Sequence, residues 1–270
     1  MAFDGFLSAL AAVIPALFLA AGVYIYVALV RQISVRAVEP SATPPREFGW
    51  PEATLATVLV LLFLSNIAAS ASHDIRAIHT RDLMWNAVLS IALLLFIAGF
   101  LRLRRFDLNS LGGFSKIGFG RAVVTGGILL LAAYPMVLLA EVVTQKLSRG
   151  TLEKQGIVEL FNASSTLEQR VLIILLAVTI APLAEEFFFR FFLYGVVKRY
   201  FGRGVGVVAS ALLFAAVHAH LPSFAPLFVL GICFTIAYEW SGSLLVSMTM
   251  HALFNALALT ALAFPEVIPQ

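Results

Sequence analysis

Apolar runs about 20 residues long recur along the whole chain, and their length and spacing limit its fold more than any other feature. They cover 6–30, 53–71, 83–101, 122–143 and 170–190, the last able to continue to about 200. Three shorter runs follow near 205–219, 224–240 and 243–263. A run of this length crosses bilayer hydrocarbon as a helix, where every backbone N–H and C=O must find its partner inside the segment. The expected fold is all-α, a polytopic integral membrane protein with about eight transmembrane helices. Composition points the same way: hydrophobic residues make up 61% of the chain and charged ones 12%, against about 45–50% and 25% in soluble domains. The first run is preceded by Asp4 rather than by lysines and is too long for a signal peptide, so it reads as a transmembrane helix.

What interrupts the apolar runs divides the chain in two. Residues 1–169, four N-terminal transmembrane helices and their loops, carry almost no polar group at membrane depth, whereas 170–263 holds the chemistry. The 31–52 connection, with SATPPREFGWPE, is the most linker-like stretch. Pro222 and Ser241-Gly242-Ser243 mark tight turns between the last three helices, and Pro182 is set to kink the fifth helix or open its hydrogen-bond ladder. Cys233, the single cysteine, excludes an internal disulfide or a cysteine cage and reads as a small core hydrophobe. Asn162-Ala-Ser fits a glycosylation sequon by chance.

The net charge of +3 is small and most of the cations lie in loops, which reflects orientation in a membrane and not nucleic-acid binding. Arg31, Arg36, Arg46, Arg102, Arg104, Arg105, Lys116, Arg121, Lys198, Arg199 and Arg203 fall in the odd-numbered connections. Arg76, Arg81, Lys146, Arg149, Lys154 and Arg170 fall on the opposite side. This bias assigns the odd loops to the cytoplasm and both termini to the outside of a multi-pass cell-membrane protein.

Against this background APLAEEFFFR, residues 181–190, is anomalous. Charges at mid-membrane cost about 2.5–3.5 kcal/mol each, so Glu185, Glu186 and Arg190 must face inward, pair, or line a wet cavity. Glu186 and Arg190 are spaced i,i+4 with the acid first, the favourable order for a helical ion pair. Glu185, turned about 100° away, is left available. Downstream, LLFAAVHAH places His218 in the sixth helix, and SMTMHALFNALAL places His251 and Asn255 on one face of the eighth. Counted from a turn near 201–204, Glu185 and His218 both lie roughly 22–24 Å deep as antiparallel neighbours, with His251 nominally shallower. His220, beside Pro222, belongs to the turn. Each residue alone has a structural reading: a packing histidine, interhelical asparagine glue, a buried bridge. Gathered on three apolar helices, they point to a site.

At these residues the sequence resembles the CAAX prenyl protease 2 family, glutamate-type intramembrane proteases also called CAAX proteases and bacteriocin-processing enzymes. The family pattern EExxxR, FxxxH, HxxxN reads here as Glu185-Glu186-FFF-Arg190, Phe214-AAV-His218 and His251-ALF-Asn255. APLA before the glutamates and WSGSL before the last helix also look like the family, and the resemblance covers about 170–260. Where the family has glycine after the motif arginine, this chain has Phe191. The resemblance implies hydrolysis of peptide bonds in membrane-associated or lipidated, CAAX-type protein substrates. Glu185 and His218 would activate water, His251 and Asn255 would donate to the oxyanion, and Glu186, tied to Arg190, would orient the site, with Phe214 in support and no cofactor. The residues leave a zinc alternative, with Glu185, His218 and His251 as ligands around an open position. A second alternative is a non-catalytic transporter or a bacteriocin-immunity or scaffold protein that retains the fold. No GxSxG, rhomboid-type GxSG or presenilin-like GxGD occurs.

Overall fold

The computed structural model describes residues 2–36, 47–71, 80–147, 160–161, 164 and 166–264. The Asn162 sequon and residues 37–46 of the linker-like connection lie outside them. Among the described residues there is no strand. The helices are α1 (Ala2–Arg36), α2 (Trp50–Ala71), α3 (Thr80–Leu103), a short α4 (Leu108–Gly112) and α5 (Phe119–Leu147). A long run then comprises α6 (Leu167–Leu175), a π-helical stretch (Leu176–Ile180), α7 (Ala181–Glu186), a second π-helical stretch (Phe187–Leu193) and α8 (Tyr194–Val217). It is followed by α9 (Leu221–Ser241) and α10 (Leu244–Ala263). The chain is a multi-pass membrane protein: among the described residues, seven helical runs are long and apolar enough to cross a bilayer.

One of the seven, Leu167–Val217, has 51 residues. At 1.5 Å per residue it would reach about 76 Å if straight, far beyond the hydrocarbon thickness of about 30 Å. It turns back at Gly202, whose φ of 84° and ψ of 170° lie in a region open essentially to glycine alone. The two arms pack antiparallel, with the Ser210 hydroxyl donating to the Phe189 carbonyl at 2.8 Å and Gly206 lying against the Tyr194 ring. The run therefore supplies two spans, which makes eight among the described residues. Most helices extend past their apolar runs because polar end residues continue the helical hydrogen bonding outside the hydrocarbon.

Central α9 packs against α1, α5, α8 and α10, and α5 also joins α1 and α10. On the periphery, α2 leans on α8, and α3 leans on the run from α6 to α7. Without a hydrophobic force between helices in lipid, close approach needs small residues and interhelical hydrogen bonds. Both are present. Gly22 lies directly on the Ala132 carbonyl, Thr249 Oγ1 donates to the Ala122 carbonyl at 3.0 Å, and the Tyr26 hydroxyl donates to the Leu129 carbonyl at 3.0 Å. Outward-facing Leu62, Leu89, Leu95 and Phe96 make the lipid-facing surface.

The basic residues of the odd connections collect at one end of the bundle and fasten it. Glu239 receives Lys198 Nζ at 2.5 Å and Arg203 Nε at 2.9 Å, Glu52 receives Arg104 Nε at 2.9 Å, and Arg199 pairs with Glu47 at 2.7 Å. Arg36 donates to the Trp240 carbonyl at 2.9 Å, and Gly113, C-cap of α4, rests on the Gly242 carbonyl.

Gly126 and Gly127 separate close packing from helix propensity. A Cβ at Gly126 would lie 2.6 Å from Thr249 Oγ1 and 3.1 Å from both Met250 N and the Val246 carbonyl oxygen; one at Gly127 meets nothing nearer than 3.8 Å. Gly126→Ala is expected to cost about 1–3 kcal/mol through overpacking. Gly127→Ala should leave stability unchanged or raise it. Thermal unfolding in detergent micelles measures both.

Candidate active site

The glutamates sit between two π-helical stretches, a local form that is rare and frequent at functional sites. In the first, the Ala181 N–H bonds the Leu176 carbonyl, five residues back, instead of the Ala177 carbonyl. The next nitrogen is that of Pro182, which has no hydrogen to give. The expected disturbance at Pro182 thus appears as a widened ladder that stays helical. The Ala177 carbonyl, deprived of both backbone donors, receives Asn255 Nδ2 from α10 at 2.8 Å.

Eight consecutive residues, Phe187 to Tyr194, are buried, so this part of the helix is enclosed by protein on all sides. Arg190 lies among them, fully buried. Its Nη1 is 3.0 Å from Glu186 Oε1, also fully buried, and its Nη2 donates to the Gly231 carbonyl at 3.4 Å. The guanidinium is enclosed by aromatic rings, with Cζ 4.2 Å from the centroid of Phe214, 5.1 Å from Phe234 and 5.8 Å from Phe189. Such ring faces attract a cation most strongly where water is excluded.

Glu186 Oε1 is shared. His251 Nδ1 lies 2.9 Å from it, and a carboxylate oxygen accepts, so Nδ1 carries the hydrogen. The imidazole stacks on Phe234 at 4.9 Å and meets the edge of Phe214 at 5.6 Å. Its Nε2 then points toward Glu185, 3.9 Å from Oε2. The two adjacent carboxylates are unequal: Glu186 is fully buried with its Oε1 held by a cation and an imidazole, while Glu185 is 28% exposed with its Oε2 3.9 Å from His251 Nε2; the Oε2 of each has no hydrogen-bond partner.

His218 closes α8, and its Nδ1 lies 2.8 Å from the Phe214 carbonyl. A carbonyl cannot donate, so Nδ1 bears the hydrogen and Nε2 presents a lone pair. The Phe214 ring touches the rings of both His218, at 5.0 Å, and His251. His220 stands outside as the residue that precedes α9.

Depth counting from the turns placed His218 beside Glu185 and His251 higher. The structure corrects the depth of His251, whose imidazole lies against both carboxylates; His218 Nδ1 is engaged by the Phe214 carbonyl. The turns do not lie in one plane. Phe214 and Phe234 are in contact, yet Phe214 is about 18 Å of helix from Gly202 and Phe234 about 12 Å from Gly242. The Gly202 turn therefore projects farther, and counting from it overstates the depth of the glutamates relative to His251.

Sequence spacing brought out Glu185, Glu186, Arg190, Phe214, His218, His251 and Asn255, but not the Phe234 ring, the Gly231 carbonyl or the Ala177 carbonyl. These act across helices, and no one-helix periodicity marks them. Among the described residues no group of three His, Cys, Asp or Glu side chains is arranged to hold a metal ion, so the alternative set Glu185, His218 and His251 is not gathered around one point. Phe191, where the resembling family has glycine, is buried and stacks on Phe187 at 4.8 Å. Phe48 lies across its edge and seats on Gly195, one turn farther on, so the close approach is made there.

A family model described as Rce1-like, type II CAAX prenyl endopeptidase, matches residues 167–257. This segment of the chain is similar to the Rce1-like family. The matched segment runs from α6 into α10 and contains Glu185, Glu186, Arg190, Phe214, His218, His251 and Asn255. No curated protein and no solved structure matches the chain. The Rce1-like match thus rests on the part of the bundle in which the buried ionisable groups meet.

Within the matched segment, Arg190→Met leaves the Glu186 carboxylate buried beside a neutral side chain, a loss expected to cost about 3–5 kcal/mol. Arg190→Met combined with Glu186→Gln removes both charges and is expected to be more stable than Arg190→Met alone. Unfolding midpoints in detergent measure the difference; equal loss in both proteins would deny the pair its energetic role.

Proposed function

We propose that the protein is an intramembrane endopeptidase that hydrolyses peptide bonds of membrane-associated or lipidated, CAAX-type substrates through a glutamate-activated water. The supporting observation is the asymmetry of the carboxylates: Glu186 is fully buried and held by Arg190 and His251, while the neighbouring Glu185 is 28% exposed and its carboxylate is committed to no close partner, with Oε2 3.9 Å from His251 Nε2. A general base needs such an uncommitted oxygen within reach of the proton it takes.

In this mechanism Glu185 accepts a proton from water as the oxygen attacks the scissile carbonyl carbon. His218, through its Nε2 lone pair, helps hold that water. The tetrahedral intermediate carries its charge on the former carbonyl oxygen. A hydrogen on His251 Nε2 would donate to it while Nδ1–H stays on Glu186, and Asn255 offers its second amide hydrogen. The C–N bond then breaks, and the proton held by Glu185 passes to the leaving amine, restoring the carboxylate. Glu186 and Arg190 keep His251 in place, and Phe214 keeps both imidazoles and the guanidinium in register. No cofactor enters these steps. The catalytic core is residues 170–263, and the four N-terminal helices within 1–169 support it. The gathering of the polar residues around one aromatic hub, instead of along a path across the membrane, favours this reading over a transporter.

The test is release of a fluorogenic, lipidated peptide by the purified protein in detergent. Glu185→Gln keeps the shape and removes the base, and is expected to lower kcat about 10²–10⁴-fold. Chelator should leave wild-type turnover unchanged. Equal turnover in wild type and Glu185→Gln would remove Glu185 from the chemistry. Chelator-sensitive turnover restored by zinc would move the site to the metal alternative.

A further inference from the structure

The bond between Asn255 and the Ala177 carbonyl serves a group that has no other donor. In a regular α-helix that carbonyl would take the Ala181 N–H, but this is bonded to Leu176. In the widened π turn it would take the nitrogen of residue 182, which is proline. Ala177 is buried inside a membrane span, so water does not substitute. Asn255 Nδ2 at 2.8 Å is the replacement.

We propose that Pro182 and Asn255 form one positioning device, in which the proline strips the Ala177 carbonyl of its backbone donor and the asparagine amide supplies it from α10. The consequence for the site is geometric. Asn255 and His251 lie on the same face of α10, and they grip the glutamate-bearing run on either side of Pro182, at the Ala177 carbonyl and at Glu186 Oε1. One contact alone leaves α7 free to rotate about it; two fix the rotation that turns Glu185 outward and Glu186 inward. With one amide hydrogen held by Ala177, the side chain of Asn255 is also oriented, and its second hydrogen has a defined direction. Asn255 is in this respect a positioning residue acting through the π turn, whatever it donates to substrate. This role deepens the endopeptidase reading and rests on it for its catalytic meaning.

Pro182→Ala returns an N–H to position 182 and so gives the Ala177 carbonyl a backbone donor. The experiment is a cycle of wild type, Pro182→Ala, Asn255→Ala and the double variant in the full chain, read by kcat and KM on the lipidated peptide and by the unfolding midpoint in detergent. Asn255→Ala is expected to lower kcat with little change in KM. The double variant should recover kcat over Asn255→Ala by roughly tenfold, the coupling expected of residues sharing one partner, and should recover the midpoint as well. If the double variant loses the product of the two single losses in kcat and shows no recovery in the midpoint, the device is overturned and Asn255 acts on substrate alone. The midpoint cycle reads the device even in a protein that does not cleave the peptide, so failure of the endopeptidase reading and failure of the device are separate results.

Discussion

A carboxylate in the interior of a bilayer has to be neutralised, and Glu186 is neutralised from two directions. Arg190 reaches it from the next turn of its own helix and His251 from α10. The arginine would itself be costly in lipid, and its enclosure by Phe214, Phe234 and Phe189 supplies ring faces where water is excluded. These rings belong to α8, α9 and the second π-helical stretch, so satisfying one carboxylate draws these elements and α10 around it. The FFFRFFL sequence follows from the same demand: a helix turn that carries a buried cation at the centre of a bundle needs apolar bulk on all sides, because every side faces another helix.

The basic end of the bundle matters to the site through α9 and α10. Lys198 and Arg203 on Glu239, Arg36 on the Trp240 carbonyl and Gly113 on the Gly242 carbonyl hold the turn between these two helices. Ser243, Leu244, Val246 and Ser247 behind it are fully buried. Fixing this turn fixes the height of α10, and with it the levels at which His251 and Asn255 meet the glutamate run. Charges near the membrane surface thus set the register of groups deep inside it. At that surface the ion pairs need little net energy of their own, since their geometric effect is what the site uses.

The apolar runs made the eight spans legible, because bilayer thickness converts length directly into a helix count. The return was expected near 201–204, and it falls at Gly202, with the helix continuing to it without interruption. The Glu186–Arg190 pair was legible because i,i+4 spacing is a local rule. The partner of Glu186 on α10 was not, since the depth of His251 depends on how far each turn projects, and no residue pattern encodes that. Phe234 and Gly231 escaped for a related reason: an aromatic or a glycine in an apolar helix looks the same whether it faces a cation or lipid. The π turns were signalled only by Pro182, which announces a missing donor without saying how the ladder will close.

Two glutamates in succession are a costly way to furnish one site unless the helix separates their roles. Adjacent residues on a helix differ by about 100°, so when one carboxylate is drawn into the core the other cannot follow. Glu186 faces the guanidinium, and Glu185 is thereby turned to the rim, where it is 28% exposed beside an imidazole already committed at its other nitrogen. This difference is produced by rotation alone and holds only while the rotation is held. Glycine at 202 can bend the run and a buried pair can anchor it, but neither fixes its angle about its own axis. The two contacts from α10 do, one to the Glu186 carboxylate and one to the carbonyl that Pro182 leaves open. Separating the carboxylates is therefore a property of the run, of α10 and of the interrupted ladder between them, and no part of it resides in the glutamate pair by itself.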